Sequence, residues 1–476
     1  MTAEKGVRHL NLSRSDSGIV EISSASGDVS TGTPMSPSSM YAKTTVADVP
    51  HSFMDAVVFC HWDNILGPRL EHVWYISDRP QPHVNILRFI TSQVLSGEIC
   101  RELDTSHVDF KFFDIPDKGV VIPSFVFSAL RGTDLSLHAL ALIIPNSELS
   151  VFLQVNDIVQ SWFNRIIAKF RVLLNKRNFG EEDLEQFTSW LACCLQMLSS
   201  LHEAGLPHTI HLSYTALCPS CNLEQDFLQQ AIASHLMTFG RSVVVGRVPD
   251  RVNKVVHTLA LFSWESERSC SRQAVEGKQW PYAHDLCIQG ILKNKDGSYD
   301  LPIRDILYSK YPSSIIDVQK RDIRQSSSVA DHPHLSHVAA TEELSQLYND
   351  RGSASSFTSM FQSADIPETL VKTLLDELHK LPVQNGIREA FVAHFMHLLQ
   401  RHALTLIKHV EVETQRGIQP LRGGLKKLRH DLNLPLEGDL RIVVAAAEKL
   451  KPGLCHLVFG DRRHDADYLP NVTELL

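Results

Sequence analysis

Between Val108 and Leu173 the spacing of apolar residues changes from two to 3.6, and that change limits what the chain can fold into. Val108, Phe110 and Phe112 alternate with Asp109 and Lys111, the pattern of a half-buried strand. Val120–Leu130 and Leu137–Ile144 are nearly continuous apolar runs, which suit central strands covered on both faces. Phe152, Val155, Val159, Trp162, Phe163, Ile166, Phe170 and Leu173 then fall at helical spacing, predicting an amphipathic helix over 148–175. Two further strands precede this block. Val57-Val58-Phe59 reads as one, Leu70–Tyr75 as the other, with Gly67-Pro68 as the breaker between them. Helices are expected at 84–96, through Val84, Leu87, Ile90 and Val94, and at 181–203, through Leu184, Phe187, Leu191, Leu195 and Leu198. Five strands with helices describe an α/β unit over 51–203.

Residues 204–223 carry Gly205, Pro207 and Pro219 among polar spacers and read as a linker. A second α/β unit is expected over 224–476. It would contain a helix at 224–239, a strand at Ser242–Val245, a helix at 250–263 and a strand at Leu286–Leu292. The turn Lys295-Asp296-Gly297-Ser298 predicts a hairpin onto Tyr299–Ile303. From about 320 to 360 the chain is polar and Ser-rich and reads as a mobile insertion. Helices follow at 385–412 and 437–450, with Leu454–Phe459 as a final strand. At the other end, residues 1–50 hold the run SSASGDVSTGTPMSPSSM, too poor in apolar surface to offset the entropy of ordering, and read as a disordered tail. Ser36-Pro37 within it is a candidate phosphorylation site.

At 476 residues and net charge -8 the chain has no general electrostatic pull toward nucleic acid or anionic lipid. Nine scattered cysteines, an odd number at low density, argue against a disulfide framework and for a reducing compartment. The N-terminus lacks the apolar segment of an export signal, and Ala139–Ile144 is too short to cross a bilayer. A soluble protein with at most peripheral membrane contact is expected.

No assembled catalytic set is legible. The P-loop, GxSxG and HExxH patterns are absent, and His202-Glu203 lacks its second histidine. Cys218-Pro219-Ser220-Cys221 is a single pair without the second pair that zinc needs, and reads as linker thiols. His332, His334 and His337 cluster in the Ser-rich stretch and read as solvated. Lys426-Lys427-Leu428-Arg429-His430 reads as a solvated basic face. No cofactor, metal or catalytic residue is assigned.

The block Trp62-Asp63-Asn64-Ile65-Leu66-Gly67-Pro68-Arg69 resembles the first-hairpin signature of longin domains in the DENN superfamily, which includes folliculin and the nitrogen permease regulators. Lys111-Phe112-Phe113, Ser242-Val243-Val244-Val245-Gly246, Val252-Asn253-Lys254, Leu404-Thr405-Leu406-Ile407-Lys408, Glu437-Gly438-Asp439-Leu440 and Lys451-Pro452-Gly453-Leu454 follow in order. As a set, over about 55 to 460, they resemble the longin–DENN family of the amyotrophic lateral sclerosis/frontotemporal dementia repeat-expansion locus. The tail and the 320–360 stretch do not share the likeness.

The resemblance implies an N-terminal longin domain and a C-terminal DENN domain with an α/β core and a helical part. It implies a heterodimer with a second longin–DENN protein, the Smith–Magenis candidate protein, joined by a WD-repeat subunit. It further implies action on Rab or Arf small GTPases, by nucleotide exchange or GTPase activation, in autophagy, lysosome and endosomal traffic. The protein would then be cytoplasmic, with recruitment to lysosomes, autophagosomes or endosomes. The residues so implied are the structural signature Trp62, Asp63, Asn64, Gly67, Pro68 and Arg69. Arg131, in a loop between two apolar strands, could reach a phosphate, but reads first as a plain turn residue. The alternative is a non-catalytic scaffold linking lysosomal and autophagy factors.

Overall fold

A computed structural model describes residues 19–22, 40–97, 107–131, 134–176, 179–218, 221, 223–299, 301–329, 331–349, 362–363, 366–383, 386–415, 424–434 and 436–459. The chain forms two units, one from residues up to Glu203 with Leu344–Asp350, the other from Ala204–Glu343 and Arg351–Leu469.

The first unit contains β1 (Ile19–Ile22), β2 (Met40–Ala47), β3 (Ala56–Asp63), β4 (Gly67–Ile76), α1 (Val84–Leu95), β5 (Val108–Ile115), β6 (Val120–Arg131), β7 (Asp134–Pro145), α2 (Leu149–Leu174) and α3 (Glu181–Ala204). Its strands lie in the order β1-β2-β4-β3-β7-β6-β5. The continuous apolar runs are explained by cover on both faces. Leu87, Ile90 and Val94 of α1 pack against Val58, Val73, Ile122 and Ala141 on one side. On the other, Phe125 stacks on Phe163 of α2 (4.9 Å) and Phe59 meets Phe170 edge-on (5.0 Å). Phe170 in turn contacts Phe187 of α3 (4.2 Å), and Trp74 Nε1 donates to Thr188 Oγ1 (2.9 Å).

The expected tail differs in one respect. Met40–Ala47 is a strand, parallel to β4 from Lys43↔His72 to Ala47↔Ile76, and β1 pairs antiparallel with it. The Ser/Thr/Gly-rich surroundings conceal a short β-branched run, Thr44-Thr45-Val46, that suits a pleated surface. Ser36-Pro37 lies outside the described residues.

The second unit comprises α4 (Gln225–Met237), β8 (Ser242–Gly246), α5 (Pro249–Leu261), α6 (Glu265–Ser269), β9 (Ile288–Leu292), α7 (Ile303–Leu307), β10 (Ser314–Asp317), β11 (Asp322–Gln325), α8 (His332–Asn349, ending in the first unit), β12 (Gln362–Ser363), α9 (Leu370–Lys380), α10 (Ile387–Gln415), α11 (Gly424–Asp431), α12 (Glu437–Leu450) and α13 (Leu454–Phe459). Its sheet runs β12-β11-β10-β8-β9, with β9 and β10 both parallel to β8. The helical part packs on the same core. Val392, Phe395, Leu399, Ala403 and Leu406 of α10 join Leu440, Val443 and Val444 of α12.

Four expectations change here. The supposed linker is part of the core: Ile210, Leu212, Ala216 and Leu217 are buried, and Ala216 N–H donates to Thr258 Oγ1 of α5 (2.8 Å). The turn at 295–298 closes, with Asn294 N–H donating to Ser298 O (2.8 Å), but among the described residues no strand follows it; β9 pairs parallel with β8 instead. The supposed insertion is folded over β11 and α8, and only 350–361 of it, with 330 and neighbours of β12, lies outside the described residues. Leu454–Phe459 is a helix, because Glu448 caps it through the N–H groups of Gly453 and Cys455 (2.8 Å each).

His332, expected in solvent, is buried. Its ring donates from Nε2 to the Ser309 carbonyl (2.7 Å), so Nδ1 accepts from Ser327 Oγ (2.9 Å), and the ring is neutral. Desolvation pushes it down to about 4. Burial likewise takes His72 to about 4 and His235 to about 3, with Lys43 and Lys449 adding repulsion respectively. A histidine so depressed contributes stability above its unfolded value, about 6.5, and loses it as pH falls through the window to the folded value. The urea midpoint should therefore drop between about pH 6.5 and 4, and His332→Asn should flatten the second unit's part of that slope. An equal slope in the variant would contradict the assignment.

Candidate functional site

The hairpin Trp62–Arg69 is built from its own residues. Asp63 Oδ1 accepts the N–H groups of Ile65 (2.8 Å) and Leu66 (2.9 Å), closing an Asx turn. Those two bonds, Leu66's first, hold the Asp63 carboxyl below its usual range. Gly67 follows at φ +77°, a conformation that costs any other residue strain. Pro68 pairs with Trp62 beyond the stretch where β2 lies alongside β4, so its missing N–H breaks no ladder. Trp62 packs against the α1 side of the sheet. Asn64 is exposed, and the tip presents Ile65 (92% exposed) and Leu66 (55%) to solvent. The signature is thus a turn-forming device with two apolar side chains at its apex.

Arg131 ends β6 opposite Asp134, at the hairpin to β7; its side chain lies outside the described residues. No structural finding brings it together with the signature.

The margins of the sheet matter more. On the β4 side the chain covers itself with β2 and β1. On the other side β5 pairs with β6, and among the described residues it has no second neighbour. β5 carries Phe110, Phe112 and Phe113 in eight residues. Phe110 contacts Phe125 and Phe112 stacks on Phe152 (5.9 Å), on the α2 side. Phe113 packs on the α1 side. Phe112 is 41% exposed, and Val151 and Leu153, which flank its partner Phe152 in the sequence of α2, are exposed as well. Arg171, buried in α2, donates to the carbonyls of Ser128 (3.1 Å) and of His107, the residue before β5. Its guanidinium also lies over the Phe127 ring (5.6 Å). That side chain ties the edge strand's entry to the helix behind it. In the sequence, resemblance marks Lys111-Phe112-Phe113 and spacing marks the alternation of β5. The closure of the opposite margin, which makes β5 the remaining edge, depends on a strand the sequence did not announce.

The other blocks are structural. Gly438 lets α12 start against α9: a Cβ there would meet Thr369 Cγ2 at 2.5 Å and Glu368 O at 2.9 Å. Asp439 Oδ1 accepts the Leu370 N–H (2.7 Å). Asn253 exchanges two hydrogen bonds with Ala274, donating to its O (2.9 Å) and accepting from its N (2.8 Å). At the carboxyl ends of β9 and β10, either side of β8, Lys293 and Asp317 form a buried ion pair (2.5 Å). Among the described residues no group of three or more His, Cys, Asp or Glu could hold a metal, and no helix is long and apolar enough to cross a membrane.

Two mixed α/β units, the first a sheet between helices and the second an α/β core carrying a helical part, define an architecture consistent with longin plus DENN. Residues 89–332 match the model of the C9orf72-like protein family. The chain is 34% identical over 469 residues to the human guanine nucleotide exchange factor C9orf72, covering 89% of this chain and 95% of that protein. The mouse and rat homologues of that name match at 34% over 465 residues each, with the same shares. The chain belongs to the C9orf72-like protein family.

Proposed function

We propose that this chain is the binding subunit of a two-chain longin–DENN assembly that regulates Rab or Arf small GTPases, by nucleotide exchange or by GTPase activation. The name of its relatives supports a role in guanine-nucleotide exchange. An exchange factor needs no covalent chemistry, only tighter binding of the nucleotide-free GTPase than of the loaded one, which agrees with a site made of surfaces rather than reactive groups. The observation that carries the two-chain form is β5. A full-length edge strand with aromatic residues on both faces is an aggregation hazard unless another backbone pairs with it. The partner in this reading is a second longin–DENN protein, the Smith–Magenis candidate protein, with a WD-repeat subunit. The setting is the cytoplasm, at lysosomes, autophagosomes or endosomes.

Release of labelled GDP from a panel of Rab and Arf proteins tests it, with this chain alone and with the partner. Faster release, or faster hydrolysis, only with both chains is the expected result. Activity of the lone chain would replace the subunit reading with that of a self-sufficient exchange factor. No effect in either form would leave a scaffold.

A further inference from the structure

Three loops leave the same end of the second unit's sheet. β9 and β10 run parallel to β8 on its two sides, and the pairings end at Gly246↔Leu292 and Val245↔Asp317. Lys293 N–H then donates to Gly246 O (2.8 Å) and Val318 N–H to Val245 O (3.0 Å), so the three exits stay level. Neighbouring strands lie about 4.8 Å apart, which sets the loops on a rim about 10 Å wide. That rim is basic. Arg247 leaves β8, Arg251 sits on the first turn of α5, Lys295 on the turn after β9 and Lys320 on the turn after β10, and all four are exposed. None of the four is in an ion pair among the described residues. The neighbouring charges are already matched: Asp250 by Lys254 (3.1 Å), Arg321 by Glu224, and Asp317 by the buried Lys293 (2.5 Å). Asp296 is the exposed carboxylate left over, and it accepts from Ser298 N–H (2.9 Å) and Oγ (2.6 Å). Arg247 reaches across to the β9 turn, where its Nη2 stands 2.8 Å from the place a Cβ on Gly297 would take. Arg251 opposes the dipole of the helix that carries it. These cations do nothing for the fold that holds them.

We propose that Arg247, Val248, Arg251, Lys295 and Lys320 form a docking surface for an anionic phospholipid bilayer. Val248, between the two arginines, is 49% exposed and supplies a small apolar foot for the head-group layer. The backbone donors of the rim are used at home. Gly297 N–H donates to Asn294 O (2.9 Å), Gln319 and Lys320 N–H donate to Asp317 Oδ1 (3.0 Å each), and Pro249 has none to offer. An added peptide strand would need such donors, whereas lipid head groups need only charge within reach. The cations lie about a Debye length apart, about 8 Å at physiological salt, and so act together on the lipid phosphates. The chain as a whole carries net charge -8 and is repelled by the same membrane, so attachment is short-ranged and salt-sensitive. The contact bears on the membrane setting proposed above but stands on the rim alone. Its test contains no GTPase, and its failure leaves the exchange reading untouched.

The test is co-sedimentation of the full chain with phosphatidylcholine vesicles, plain or carrying about 30% phosphatidylserine. Pelleting with the anionic vesicles only, lost when salt rises to about 0.5 M, is the expected result. K295E/K320E, on two exposed turns, should weaken partitioning about tenfold or more, with circular dichroism and urea midpoint unchanged. K426E/K427E, on the exposed basic stretch of α11, should leave partitioning as it is. An equal loss in K426E/K427E would overturn the proposal, because diffuse charge and not the rim would then be at work. Equal pelleting with plain vesicles, or none with either kind, would overturn it as well. Retention on immobilised polyglutamate without pelleting would also overturn it, and would give the rim to an acidic protein segment.

Discussion

Replacing Asp317 by alanine is expected to destabilise the second unit by about 3–5 kcal/mol, the cost of leaving one partner of a buried ion pair alone. Lys293 Nζ donates to Asp317 Oδ2 at 2.5 Å, and the two side chains are 2% and 5% exposed. The other oxygen, Oδ1, accepts the N–H groups of Gln319 and Lys320 (3.0 Å each). Alanine would strand an ammonium inside the unit and free two turn N–H groups. Lys293→Met should cost less than Asp317→Ala, because the carboxylate would keep those two donors. The double replacement K293M/D317L should recover much of the loss, since neither charge then needs desolvating. Urea unfolding reads this, with the second unit's transition moving and the first unit's unchanged. An unmoved midpoint in Asp317→Ala would show that the pair contributes nothing. The position adds interest. In open parallel sheets the crevice where strand order reverses commonly receives a ligand; here the carboxyl ends of β8, β9 and β10 are bridged by the chain's own charges.

The second large effect concerns β5. Phe112→Asp and Phe110→Asp, singly and together, should weaken capture of the partner chain by about 30-fold or more, the scale of losing an aromatic hot spot worth about 2 kcal/mol. Phe112 is the cleaner probe because it is 41% exposed and its removal spares the core. Arg171→Met should weaken the partner less. It leaves the edge residues in place but frees the His107 carbonyl that sets the strand's entry. Co-purification of the two chains, with circular dichroism of the free variant, separates a lost interface from a lost fold. Retained capture by the double aspartate variant would remove β5 from the interface.

Much of this architecture was legible because its periods are long and clean. Phe152 to Leu173 on α2, and Ile387 to Val410 on α10, leave little choice but amphipathic helices; the runs at 120–130 and 137–144 leave little but central strands. Segments whose order comes from tertiary contact were not. Thr44-Thr45-Val46 is too short to stand out from its polar surroundings, and gains its place through pairing with β4. The chain from Ile210 to Leu217 has turn residues and no period, yet its apolar side chains sit on α5. His332 carries no sign of burial in a Ser-rich run; one partner, Ser327, sits in that run, but the carbonyl that fixes the ring's tautomer, Ser309, lies in another segment. Leu454–Phe459 is too short for periodicity to choose between strand and helix, and Glu448, reaching forward to the N–H groups of Gly453 and Cys455, makes it a helix. At the site, the hairpin was readable from Asp63 and Gly67, whose roles are local. The free edge was not, because an edge is defined by what lies next to it.

The taper of the seven-stranded sheet has a consequence for stoichiometry. On one flank it narrows from the eight residues of β2 to the four of β1, too little backbone to template an addition. On the opposite flank β5 offers eight. Among the described residues, growth by strand addition can therefore proceed from a single side. A newcomer that joins there through its own corresponding flank uses up both, and the result is a closed pair with no route to filaments.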